Sequence, residues 1–178
     1  MGGSCVQDLI ISPEQRRNQD LLLSYGLRSL SALFLKLKYP YYNSEISVVR
    51  SPKTGWAIRL RLVENLRLTP SIFTCKTLVV LKLSGLLVDS VSSVDLPLLK
   101  TLHLMEVFFK KRKDLMMLLS GCPLLEDLNA PTVSHLQNDC ILGFRNLPNL
   151  VKANLRALHV PFTILYNARF LRLDWVCI

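Results

Sequence analysis

Aliphatic residues recur along this chain in a six-residue frame, apolar at its first, fourth and sixth positions. Leu78, Leu81 and Leu83 fill it, as do Leu99, Leu102 and Leu104. It returns with one alanine at Leu125, Leu128 and Ala130, and at Leu150, Ala153 and Leu155. Weaker copies stand at Val63, Leu66 and Leu68 and at Ala168, Leu171 and Leu173. In a strand, the fourth and sixth positions point to one side and the residue between them to the other. A single such strand cannot bury its apolar side alone, whereas stacked copies can. Parallel neighbours need a crossover of a dozen residues or more. The middle residues 66, 81, 102, 128, 153 and 171 are separated by steps of 15, 21, 26, 25 and 18, which leave room for one.

The three central steps fall in the range of leucine-rich repeats, about 20–29 residues. The flanks repeat as well. Leu96-Pro97-Leu98-Leu99, Cys122-Pro123-Leu124-Leu125 and Leu147-Pro148-Asn149-Leu150 each set a proline two residues before the frame. Proline lacks an N–H and fixes φ, so it suits the approach to a strand and not its paired interior. One crossover has helical spacing: Asp114 is positioned to cap Leu115–Leu119, Gly121 to end the helix and Pro123 to forbid its continuation. Leu115, Leu118 and Leu119 then share a core-facing stripe that Met116 and Met117 extend. The crossover from Ser84 to Asp95 lacks helical period and reads as irregular or short 3₁₀ structure. Many leucine-rich repeats carry Asn or Cys at the ninth position, where the side chain satisfies the bending backbone. Here that count gives Leu86, Val107, Val133 and Leu158, so those backbone groups need other partners or water, and irregular curvature is expected. The fold class expected is α/β: a leucine-rich repeat solenoid with a parallel sheet of about six short strands and mostly irregular or short-helix crossovers. Residues 58–178 form the solenoid and residues 1–57 an N-terminal cap, with Trp56 plugging the end of the stack.

Composition agrees with a large core. Of 178 residues, 50% are hydrophobic and 38 are leucine, while 20% are charged, which excludes wholesale disorder. The stretch from Leu21 to Tyr39 carries Arg28, Lys36 and Lys38. It reads as a helix leading into a strand rather than a membrane span. The N-terminus, Met1-Gly2-Gly3-Ser4-Cys5, lacks the basic and apolar regions of a secretory signal, and Val6 stands where an acylation motif wants Ser or Thr. Cys5, Cys75, Cys122, Cys140 and Cys177 are scattered and odd in number, which reads as free thiols in a reducing compartment, the cytoplasm or the nucleus. Neither they nor His103, His135 and His159 have metal-ligand spacing, and no cofactor motif is present.

The run from Ile72 to Gly85 followed by Val94 to Leu104 resembles the leucine-rich repeat region of plant F-box proteins of the F-box/FBD/LRR group. Leu118-Leu-Ser-Gly-Cys-Pro-Leu-Leu-Glu-Asp-Leu128 is similar to the next segment of that family, where a short helix leads into the following repeat. The resemblance is strong over about residues 63–130 and weaker over 131–175. It implies repeats that present a target protein, and an F-box helix bundle that docks on a Skp-type adaptor of a cullin–RING ubiquitin ligase. Residues 1–40 do not show the F-box run; Pro13-Glu14-Gln15-Arg16-Arg17 is a faint echo of it, and after Ile178 there is no room for the FBD module. A Skp-type adaptor is therefore a partner only if an F-box lies outside this chain.

The frame places Arg67, Lys82, His103, Asn129, Asn154 and Arg172 between the inward residues, in one polar row on the concave face. Such a row is soluble surface or a partner-binding wall. If it binds, Arg67, Lys82 and Arg172 favour an anionic or carbonyl-rich surface. The one dense charge run, Lys110-Lys111-Arg112-Lys113, reads as a solvated loop before the helix or a basic localisation patch. The net charge of +9 comes from 22 basic and 13 acidic residues and is dispersed. Four clustered charges are few for salt-resistant nucleic-acid binding. Tyr39, Tyr41 and Tyr42 sit beside Pro40 and read as a strand end packed on the first repeat. Glu126 and Asp127 would face opposite sides of a strand, and no nucleophile or phosphate-binding motif exists. The expected function is non-catalytic protein–protein recognition, with an unknown target and no membrane association. The alternatives are a truncated family member without independent activity and a basic nucleic-acid-associated protein.

Overall fold

The computed structural model describes residues 45–51, 55–67, 70–137, 146–156 and 161–174. In chain order these give β1 (Glu45–Ser51), β2 (Gly55–Arg67), a 3₁₀ turn (Pro70–Thr74), β3 (Leu78–Val88) and β4 (Thr101–Lys111). Then come α1 (Arg112–Ser120), β5 (Asp127–Ala130), β6 (Ser134–Gln137), β7 (Lys152–Arg156), a second 3₁₀ turn (Phe162–Leu165) and β8 (Phe170–Asp174). The sheet runs β1-β2-β3-β4-β5-β7-β8, with β6 also pairing with β4. β1 and β2 are antiparallel, and every later pairing is parallel. β2, β3, β4, β5, β7 and β8 are thus six parallel rungs, the α/β leucine-rich solenoid that the repeating frame predicts.

The inward positions bear the core. Leu81, Leu83, Leu102, Leu104, Leu128, Ala130, Ala153 and Leu155 are all buried. Ile72, Phe73, Leu96, Leu118, Leu119, Leu147 and Ile164 pack against them from the crossovers. Burying each leucine contributes roughly 1.5–3 kcal/mol. In the last rung Leu171 takes the inward register beside Ala153 yet stays 46% exposed, because no described rung follows it.

One rung differs from the frame. Leu81 pairs with Ile58 and Leu83 with Leu60, so the first parallel rung is written Ala57-Ile58-Arg59-Leu60 and not around Leu66. The step from Ile58 to Leu81 is 23 residues, inside the repeat range, where the expected step from Leu66 was 15. Glycine at position 55 and isoleucine at 58 stand where the other copies carry leucine or alanine, which weakens the signal of this rung.

The first three rungs are not short, because they continue round a corner. β3 passes Gly85 at φ +67° and β4 passes Glu106 at φ +53°. Ser84 pairs with Met105 and Leu86 with Val107, so the two left-handed residues stand side by side. At the same level the β2 register shifts between Arg61 and Leu66. The Glu106 N–H donates to Thr132 Oγ1 of the next rung at 2.7 Å. Beyond the corner the inward phase slips by one residue, and Leu86, Val107 and Val133 are buried. Pairing resumes at Leu86–Val107 and Phe108–Ser134. Adjacent rungs therefore supply the backbone partners that the missing Asn or Cys would otherwise provide, a second parallel arm in place of the irregular turns expected there. Leu158 lies outside the described residues.

The prolines act in a repeated turn. Leu99, Leu125 and Leu150 each donate a backbone N–H to the residue before the proline, at 3.2–3.3 Å, and Leu78 and Ala168 close equivalent turns without proline. Proline at the second position of such a turn has φ already set. Asn149 Nδ2 donates to the Pro123 carbonyl at 3.0 Å, and Asn167 Nδ2 to the Pro148 carbonyl at 3.2 Å. An asparagine ladder thus joins successive turns outside the ninth position of the repeat.

The helix begins earlier than its sequence suggests. Lys111 occupies the cap position, and Asp114 lies within the first turn, 5% exposed. Its Oδ1 accepts the Val91 N–H at 3.2 Å, tying the preceding crossover to the helix, so Asp114 is a tether and not the cap. Lys110 and Lys111 end β4, and Arg112 and Lys113 open α1, so the basic run is a strand-to-helix junction and not a loop. At the other end a Cβ on Gly121 would lie 2.2 Å from Val94 Cγ1; glycine is needed there for close approach. Cys122 Sγ donates to the Leu118 carbonyl at 3.1 Å, and burial pushes this thiol up to about 12.

The expected helix and strand at 21–39, the tyrosines at 39–42, most of the cap at 1–57, Cys5, Cys140, Cys177 and His159 lie outside the described residues. So do the side chains of Trp56, Arg67 and His135.

Candidate functional site

Strand alternation presents two or three outward positions on each rung. The central one is read directly from the register: Arg59 beside Lys82, Lys82 beside His103, His103 beside Asn129, Asn129 beside Asn154, and Asn154 beside Arg172. Five of the six residues expected in this row are brought together. Arg67 is not among them; its backbone pairs with Leu87 beyond the corner, and Arg59 takes the place beside Lys82. The signal that locates Arg59 is the local alternation Ile58-x-Leu60. One flanking column reads Thr101, Asp127, Lys152 and Phe170, and the other includes Arg61, Ser84 and Met105. The basic junction Lys110–Lys113 is not on this wall.

The wall has two chemically different halves. Over the later rungs an open depression of about 440 Å³ is lined by His103, Asp127, Asn129, Asn154, Phe170 and Arg172, among others. Asn154 Nδ2 donates to Asn129 Oδ1 at 2.9 Å, so two outward amides are cross-braced, and Asn154 Oδ1 has no partner among the described residues. Arg172 Nε lies 3.4 Å from Asp174 Oδ1. Phe170 is 65% exposed at the margin. Over the earlier rungs a smaller depression of about 160 Å³ is lined by Arg59, Arg61, Lys82, Ser84, His103 and Met105.

His103 separates the halves. Its Nε2 lies 3.6 Å from Asp127 Oδ2, an ion-pair contact, and is buried without a hydrogen-bond partner among the described residues. Burial lowers its pKa below 6.5, Lys82 and Arg59 lower it further, and Asp127 opposes them. Glu126, next to Asp127, precedes the strand and binds Lys100 Nζ at 2.7 Å, so the two carboxylates do not act as a pair. Among the described residues no group of three His, Cys, Asp or Glu could hold a metal ion, and no helix is long and apolar enough to cross a membrane. The wall offers amides, cations and one aromatic edge on a rigid sheet, which is chemistry for holding a partner.

A family model described as "FBD-associated F-box protein At5g56370, LRR repeats" matches residues 56–160. Among Arabidopsis thaliana proteins, the F-box/FBD/LRR-repeat protein At3g56780 is 36% identical over 117 residues, covering 60% of this chain and 27% of that protein. FBD-associated F-box protein At4g10400 is 49% identical over 72 residues, 40% of this chain and 17% of that protein. F-box/FBD/LRR-repeat protein At1g78750 is 50% identical over 60 residues, 34% of this chain and 13% of that protein. The chain spans about a quarter or less of the length of these curated relatives. No solved structure matches it.

Proposed function

Since the chain belongs to the leucine-rich repeat family of FBD-associated F-box proteins, we propose that its outward wall is a non-catalytic recognition surface for a protein target, in the manner of a ubiquitin-ligase substrate receptor. The observation that carries this reading is the continuous register of Lys82, His103, Asn129, Asn154 and Arg172 across five rungs, with Arg59 extending it to a sixth. A stacked sheet holds such side chains at fixed spacing before a partner arrives, so less ordering entropy opposes binding. Solenoids of this kind use their extended concave surfaces in this way.

The test is affinity purification from plant extract with three proteins: the natural chain, a wall variant carrying Lys82→Glu and Asn154→Arg, and a helix-side variant, Lys113→Glu. Partners of the natural chain should survive the helix-side change and be lost with the wall change. Retention of every partner by the wall variant overturns the reading. Co-precipitation with a purified Skp-type adaptor separately tests the ligase connection.

A further inference from the structure

Arg59 and Lys82 stand directly opposite each other on adjacent rungs. Like charges in that relation destabilise a sheet. Lys76, Lys100 and Arg172 each have a carboxylate within 4 Å, whereas no described ion pair involves Arg59, Arg61 or Lys82. On the other side of β2 the antiparallel register sets neutral Ser47 opposite Arg59 and Glu45 opposite Arg61. The fold thus assembles a repulsive cation pair, with His103 beside it, and no carboxylate among the described residues forms an ion pair with it. The depression at this spot is bordered by Ser84 and by Met105, which is 39% exposed, so a ligand there meets both charge and apolar surface.

We infer that Arg59 and Lys82, with Arg61 at their edge, form a subsite for the carboxylate side chains of an acidic protein segment, which lies extended across the rungs with its neutral remainder over Asn129, Asn154 and Phe170. This rests on the wall being the recognition surface and adds the chemistry of what it recognises. Rungs are about 4.8 Å apart, so the cation pair and His103 span about 10 Å, and the whole row about 24 Å. An extended peptide advances about 3.3 Å per residue. The segment therefore needs about seven residues, with its acids confined to about three at one end. Asn129 Oδ1 already accepts from Asn154 Nδ2, so the amide N–H groups left over suit the carbonyls of a peptide backbone. Three cations are too few to hold a nucleic acid at physiological salt.

The experiment is selection of displayed random dodecapeptides on the immobilised full chain and on its Arg59→Glu/Lys82→Glu variant. Peptides selected on the natural chain should carry Asp or Glu clustered near one end, and those selected on the variant Lys or Arg at the same end. A labelled selected peptide should bind the milder Arg59→Gln/Lys82→Gln variant about three- to tenfold more weakly, as expected for two exposed charge pairs. That milder variant should melt at or above the natural temperature, because the repulsion is gone; this keeps the test valid if the reversed variant folds poorly. Acid-free selected peptides, or a preference unmoved by either variant, overturn the subsite. If those same peptides are lost on Asn129→Ala/Asn154→Ala, the wall still stands as the recognition surface. No enrichment on any of the proteins overturns both readings. Retention of a twelve-nucleotide RNA through Arg59 and Lys82, without acidic peptides, overturns the subsite in favour of nucleic acid.

Discussion

Leu102 is fully buried, and His103, the next residue, faces the wall. Leu102→Ala or Leu128→Ala should cost about 2–5 kcal/mol in chemical denaturation, since each leaves a cavity in a packed core. His103→Ala should stay within about 0.5 kcal/mol of the natural chain near pH 7.5. Asn129→Ala should cost more, about 0.5–1.5 kcal/mol, because it strips the Asn154 amide of its half-buried acceptor. Equal losses at Leu102 and His103 would reverse the inward and outward assignment. His103 also gives a pH prediction. Its folded pKa lies below 6.5, so the unfolded chain binds the extra proton first as pH falls. Stability is then undiminished above 6.5, falls as pH drops through 6.5, and levels off below the folded value. Melting curves at pH 7.5 and 5.5 should show this loss in the natural chain and a smaller one in His103→Gln.

Among the elements, the corner is the most specific. Gly85 and Glu106 share one left-handed backbone conformation, yet only one is glycine. Gly85→Ala should destabilise by about 1 kcal/mol, and Glu106→Gly should be neutral or stabilising, because a Cβ strains that conformation. Urea midpoints of the two variants should move in opposite directions, or the second not at all. The corner also marks where the sequence ceases to be legible. Up to Leu83 and Leu104 the alternation is strict, and the inward leucines follow from it. After Gly85 and Glu106 the phase slips by one, so a fixed-period count passes over the buried arm at Leu86, Val107 and Val133. The helix start is not legible for a different reason: Asp114 is a good cap in isolation, but its carboxylate is engaged by the Val91 N–H, a contact 23 residues away in sequence. The rung of Arg59 spells the frame with isoleucine and glycine and so is hard to read, whereas the row's other five members lie in frames of leucine or alanine.

At the scale of the whole molecule, each rung touches mainly its neighbours, so stability is a sum of rung and interface contributions. Cys75 and Cys122 sit two rungs apart, and both are buried. The Cys122 thiol, held up near 12, gives almost no thiolate at pH 8 in the folded chain. Mass-mapped thiol labelling at pH 8 should therefore find both protected in buffer and both reactive at one common denaturant concentration. Labelling of Cys75 at a distinctly lower concentration would show that the early rungs open separately.

The alternation that sends Leu102 inward and His103 outward has an evolutionary corollary. If the wall is the recognition surface proposed above, selection on partner choice and selection on foldability act on different letters of the same rung. A lineage can exchange the outward letters one codon at a time while the aliphatic letters stay under purifying constraint. Paralogues of this architecture should therefore drift apart fastest at the positions equivalent to Arg59, Lys82, His103 and Asn129, and slowest at the aliphatic residues on either side of them.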